Sequence, residues 1–381
     1  TLTGTGGLLI GDEGPGDLFV ANGGHLTSAE ARLGGLLAAG LGTAVVGGDG
    51  SLWETGNLAV GYGTQGFLTV ENGGRVNSND AYVSWGMLSD ESEVTVSGVG
   101  AGTGQASMWA LQGSLTVGQN FVGSVNVLDG GDLWVFHDVH VKDGELVIDG
   151  RRPNGDPSDL DVLGNVFVGG PGSGAVAPLL ALSNAAKGDI EGNLIIGRDG
   201  GGTVGLWGAA VTANPTQLDV VDPVPAGLCA IGREFYGGVS LDDGGLFRCR
   251  TIEVGGAPGT TGNGTLTVDG GMVRALDILT VGQVGGGAGL VTMMNNALVA
   301  TNGTYITPNG AIDGSGTLAV NFFGLLNEGT LSPAINVLYP LTEDPSRSPG
   351  RAAAGAATLT VDGALTMGAT GRLEIPLAGP L

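Results

Sequence analysis

Leu58-Ala59-Val60-Gly61 followed by Leu68-Thr69-Val70-Glu71-Asn72-Gly73-Gly74-Arg75-Val76 decides the fold. Each half alternates apolar and small or polar residues, the period of a strand with one buried face. The first ends on glycine, and the second turns at Asn72-Gly73-Gly74, a sequence suited to a tight corner. The first half recurs as Leu8-Leu9-Ile10-Gly11, Leu115-Thr116-Val117-Gly118, Leu194-Ile195-Ile196-Gly197 and Leu279-Thr280-Val281-Gly282. The second recurs as Val239-Ser240-Leu241-Asp242-Asp243-Gly244-Gly245-Leu246-Phe247, with further copies ending at Leu26 and Leu133.

The offsets give the geometry. Ten residues separate Val60 from Val70, Val117 from Val127 and Ile231 from Leu241, and six more reach Val76, Leu133 and Phe247. A new turn of the pattern then begins, with anchors expected at Ile10, Leu36, Val60, Trp85, Val117, Val141, Val168, Ile196, Ile231, Val254, Val281 and Ile306. Three short strands per turn, repeated every 23 to 28 residues in most cases, predict an all-β, right-handed parallel β-helix: a three-sided solenoid of about 12–14 coils. Stacked coils lie about 4.8 Å apart, so each buries the apolar side chains of the next. Glycine makes up 77 of 381 residues, yet hydrophobic residues are 42%, which excludes a disordered linker, and collagen's strict Gly period is absent. A 3.6-residue apolar stripe is missing too.

The solenoid is expected over 1–333, with corner insertions at about 96–114, 148–164, 211–227 and 255–264 that project from one corner without disturbing the core. A Pro/Arg/Ala-rich loop is expected at 334–356, and 357–381 resumes strands that continue or close the solenoid. With 37 acids against 14 bases, the net charge of −23 argues against nucleic acid and anionic membranes as partners. No run of 18 apolar residues provides a membrane span, and a chain starting at Thr1 is expected to have lost any signal peptide.

Gly314 to Leu377 resembles the end of bacterial autotransporter-like and PEP-CTERM-type secreted β-solenoid surface proteins. The likeness lies in Gly314-Ser315-Gly316-Thr317-Leu318, Asn327-Glu328-Gly329-Thr330-Leu331-Ser332-Pro333, Ser348-Pro349-Gly350, Thr358-Leu359-Thr360-Val361-Asp362-Gly363 and Leu373-Glu374-Ile375, in that order. The segment between Pro333 and Ser348 is longer than that family's compact loop. The resemblance implies a secreted, extracellular or cell-surface protein of bacterial origin, structural or adhesive in role.

Residues with chemical potential are few. Asp156, Asp159 and Asp161 form the densest acidic run; read as an insertion loop, their alternating oxygens suit calcium, although EF-hand spacing is missing. Calcium is the one candidate cofactor. His137 and His140 fall three apart, on opposite faces of a strand, and His25 stands alone. Trp85 is expected in the core, while Trp53 and Trp134, each following an inward leucine, are expected outside. Cys229 and Cys249 come near one another without sharing a ladder, and the sequence leaves open whether they are bonded. The other acids look scattered rather than convergent on one face, so no catalytic residue is assigned and the chain is not expected to be an enzyme. The expected function is an extracellular structural or adhesive surface protein, one form of which is the repeating subunit of a filament or matrix. The alternative is a polysaccharide-binding or polysaccharide-degrading β-helix. The terminal strands predict end-to-end association with further copies or attachment to a larger surface assembly, with glycan as a further candidate contact.

Overall fold

A computed structural model describes residues 2–4, 6–36, 39–86, 91–152, 155–170, 176–208, 215–221, 227–242, 244–331, 335–338, 365–367 and 372–373. Every named strand pairs in parallel with the strand one coil on, in a single continuous sheet. Among the described residues two antiparallel bridges, Val99 with Ala106 and Arg151 with Pro157, lie inside corner loops. Each coil contributes a strand to three faces. In one coil the first face takes Leu115–Val117, the second Gly123–Leu128 and the third Asp132–Val135. The first face carries thirteen rungs, from Gly7–Ile10 to residues 324–327, and Leu365–Met367 adds a fourteenth. The chain is therefore a parallel β-helix.

The inward first-face column runs Ile10, Leu33, Val60, Val83, Val117, Val141, Val168, Ile196, Ile231, Val254, Val281 and Ile306 in unbroken register, and all of these side chains are buried. Ten of the twelve expected anchors stand in it. Leu36 and Trp85 do not: they are 64% and 39% exposed, and Leu33 and Val83 take their places. At Val83 the turn residue hides the motif: Ser84 sits at φ 59°, where most copies have glycine.

The third face corrects a second expectation. Trp53 is fully buried, in register with Leu26 and Val76. The corner before it, Gly48-Asp49-Gly50-Ser51, is one residue longer than Asn22-Gly23-Gly24, and one extra residue reverses which side chains point inward. Its indole N–H donates to Ser28 Oγ at 3.3 Å, and that of buried Trp109 donates to Ser78 Oγ at 3.1 Å. Hydroxyls thus satisfy both indoles within the core. Trp134, as expected, is outside, at 40% exposure.

The insertions do not all project from one corner. Residues 98–107, 150–158 and 208–216 leave the corner between the second and third faces, in alternate coils, while 255–264 joins the first face to the second. Parts of these loops, and residues 339–364, lie outside the described residues. Ile335–Leu338, within the segment expected to be loop, is a strand paired with residues 316–319.

Cys229 and Cys249 are joined by a disulfide and fully buried. Cys229 starts the inward first-face column of its coil, between Leu194 and Ile252. Cys249 ends the third-face strand of the same coil, beside Val220 and Ala275. The bond closes that coil into a covalent ring.

Candidate functional site

Acids that look scattered in the sequence converge on the outside of the third face. One outward column runs Asp132, Asp159, Lys187, Gln217; the next runs Trp134, Asp161, Asp189, Asp219, Arg248, Arg274. Parallel register places each side chain about 4.8 Å from its neighbours along the column. Carboxylate oxygens of Asp159, Asp161 and Asp189 all lie within 4.8 Å of one another. The expectation that no acids meet on one face of adjacent coils is therefore wrong.

The expected trio is also regrouped. Asp159 and Asp161 belong to the strand Asp159–Val162 rather than to a loop; the insertion closes earlier, at the bridge between Arg151 and Pro157. Asp156 stays in that loop, 3.4 Å from Arg152 Nη1. Asp189, from the following coil, completes the cluster instead. The missed signal is a third-face repeat, Leu160-Asp161-Val162, Asp189-Ile190, Leu218-Asp219-Val220 and Phe247-Arg248-Cys249.

Charge compensation along the face is uneven. Arg152 spans Asp132 at 3.3 Å and Asp156, and its Nε donates to Gly130 O at 3.0 Å. Lys187 pairs with Asp189. Arg248 forks onto Asp219, its Nε 2.6 Å from Oδ1. Asp159 has no such clamp, and its Oδ1 is buried without a hydrogen-bond partner. Burial, reinforced by the charge of Asp161, pushes its carboxyl up to about 7. Burial also raises Asp132 to about 6 against the pull of Arg152, and burial followed by Asp189 raises Asp161. This face therefore holds protons near neutral pH that ordinary carboxylates have lost. The three carboxylate oxygens could serve a divalent cation, for which the Lys187 ammonium competes at Asp189.

The histidines stand elsewhere. His25 Nε2 lies 2.8 Å from Glu54 Oε2. His137 is exposed at a corner, whereas His140 points out from the first face and stacks on Phe167 at 4.8 Å. Burial, then nearby Lys142, lowers the His140 pKa.

Fold and site define a parallel β-solenoid bearing an acidic, partly protonated stripe. No protein-family model matches the chain, and no curated protein does. Among solved structures it is similar to a TibC-catalysed hyper-glycosylated TibA fragment, at 16% identity and a TM-score of 0.30, covering 88% of this chain and 96% of that one. That likeness is too distant to bear on function.

Proposed function

We propose that this chain is an extracellular structural or adhesive solenoid of a cell surface, non-catalytic, acting through its outward columns. The observation that carries the reading is strict register over thirteen rungs, which makes a rod about 60 Å long with side chains displayed at constant spacing on flat faces. Such surfaces suit repeated weak contacts with an extended partner. The buried Cys229–Cys249 bond favours an oxidising compartment outside the cytosol.

The test is adsorption of the purified chain to mucin, matrix proteins, bacterial envelopes and insoluble polysaccharides, with reducing-end and unsaturated-product assays on the same polysaccharides. Saturable adsorption without product is expected. No adsorption to any surface would refute the adhesive reading.

One observation favours a second reading, cleavage of a polysaccharide. Asp159, protonated near neutral pH, stands beside Asp161 and Asp189, as an acid beside candidate bases. Product formation lost in both Asp159→Asn and Asp161→Asn would establish it.

A further inference from the structure

An aromatic cluster on the first face stands apart from the acidic stripe. Three successive coils bring together Arg32, Tyr62, Tyr82 and Trp85. Trp85 stacks on Tyr82 with ring centroids 4.8 Å apart and meets Tyr62 edge-on at 5.3 Å. The Arg32 guanidinium lies 4.4 Å over the other ring, that of Tyr62. Trp85 remains 39% exposed although its neighbours order it. Its backbone N–H donates to Gly61 O at 3.0 Å, and Asn120 Nδ2 donates to its carbonyl at 2.5 Å. Tyr82 is fixed in the ladder between Ala59 and Thr116. An exposed indole held this firmly loses little conformational freedom on binding.

The charge around the cluster narrows the partner. Around the cluster the outward first-face column runs Arg32, Ala59, Tyr82, Thr116, His140, Phe167, Ile195 and Ala230 without an acid, and its first acid is Glu253, six rungs beyond Tyr82. Arg32 is matched by Glu30 at 3.4 Å, and Lys142 donates to Gln119 at 2.8 Å. The stripe is thus close to neutral in a chain of net charge −23, which repels polyanions. Tyr82 covers one face of the Trp85 indole, and the exposed remainder of that ordered ring, with hydrogen-bonding groups beside it, matches the C–H face and hydroxyls of a pyranose ring.

We infer that Trp85, held by Tyr82 and Tyr62, is the stacking ring of a platform for a neutral polysaccharide on the first face. The inference rests on the adhesive reading and gives it a ligand class. Affinity electrophoresis in gels containing a neutral β-glucan, a neutral mannan, polygalacturonate or alginate tests it. The intact chain should be retarded by at least one neutral polymer, and Trp85→Ala should lose the retardation about tenfold or more, while Trp85→Phe keeps most of it. Trp207→Ala, which removes an equally exposed tryptophan from the second face, should be retarded like the unaltered chain. Unchanged melting of Trp85→Ala checks that the fold survives. Retardation by the acidic polymers alone, by none of the four, or equally in Trp85→Ala overturns the inference. Adsorption of Trp85→Ala to cell envelopes at the unaltered level, with no neutral polymer bound by either chain, would overturn the platform yet leave the adhesive reading standing. Loss of envelope adsorption in both would sink that reading as well.

Discussion

Asp159→Asn should stabilise this protein at pH 8, although it removes a charge from the surface. In the folded chain the Asp159 carboxyl titrates at about 7, against an ordinary 3.8. Between those values the folded chain keeps a proton that the unfolded chain has released, so stability falls as pH rises through the window. The gap corresponds to about 4 kcal/mol at neutral pH. The side chain is partly open to solvent, and screening reduces this to about 2 kcal/mol. Asp132 and Asp161, both raised, act in the same direction. The unaltered chain should therefore melt higher at pH 5.5 than at pH 8. Asp159→Asn should raise the melting temperature at pH 8 by roughly 2–4 °C and flatten the dependence on pH. Thermal unfolding followed by far-ultraviolet circular dichroism from pH 5 to 8.5 gives both quantities. A variant that melts below the unaltered chain at pH 8 would show that Asp159 is ionised and held by Lys187, and would refute the reasoning.

Val117→Asp replaces a fully buried side chain stacked between Val83 and Val141; it should cost several kcal/mol or prevent folding, and unchanged urea denaturation would show the register to be wrong. Alkylation without reductant should leave the intact mass unchanged, because both cysteines are bonded; the Cys229→Ala/Cys249→Ala variant should lose about 3 kcal/mol in the same denaturation assay. Ser158→Ala strands the Gly130 N–H, which Ser158 Oγ accepts at 2.8 Å, and removes its 2.6 Å donation to Asp149 O; a loss of about 1–3 kcal/mol is expected by thermal melting, and Ser158→Thr should recover most of it.

The architecture was legible because inward columns repeat with little variation. Val60, Val117, Val168, Val254 and Val281 occupy one column, each followed by glycine, and with Val141 and Ile306 placed by spacing ten anchors could be found. Two of the failures trace to a corner of altered length or composition, whereas Leu33, which Gly34 follows as in the other copies, has no such reason. Ser84 in place of glycine hid Val83, and one extra residue before Ser51 turned Trp53 inward. The acidic stripe was harder to see, since Asp161, Asp189 and Asp219 lie 28 and 30 residues apart and join only once the third-face register is known. The asparagine ladder between the third and first faces was invisible for the same reason. Asn165 donates its side-chain N–H to Asp138 Oδ1 at 3.0 Å, Asn193 donates to Asn165 Oδ1 at 3.0 Å, and Leu228 N–H donates to Asn193 Oδ1 at 3.0 Å. In sequence these are unremarkable polar residues ahead of strands.

The alternation of insertions follows from one backbone group. A tight corner such as Asn72-Gly73-Gly74 closes itself, with Gly74 N–H donating to Glu71 O at 2.9 Å, but the Gly73 N–H is left over. Ser107 Oγ of the next coil accepts it at 3.0 Å and donates in turn to Ser97 O at 2.7 Å. Ser51, Ser158 and Thr216 do the same for Gly23, Gly130 and Ala185. Reaching that position takes at least one residue more than the tight corner, as in Gly48-Asp49-Gly50-Ser51, so a coil that staples its predecessor is the coil that carries a longer corner. The excursion then lies over the turn below it. A Cβ on Gly73, already at φ 85°, would come within 2.8 Å of Gly100 in the loop above, which leaves glycine as the residue that fits. Asp49, two coils beneath, holds the same loop through the Gly102 N–H at 2.7 Å and the Thr103 hydroxyl, and those bonds lower its pKa. Corner loops secured in this way are part of the solenoid's cohesion, and the outward columns of the flat faces are left as the surfaces free to vary with a partner.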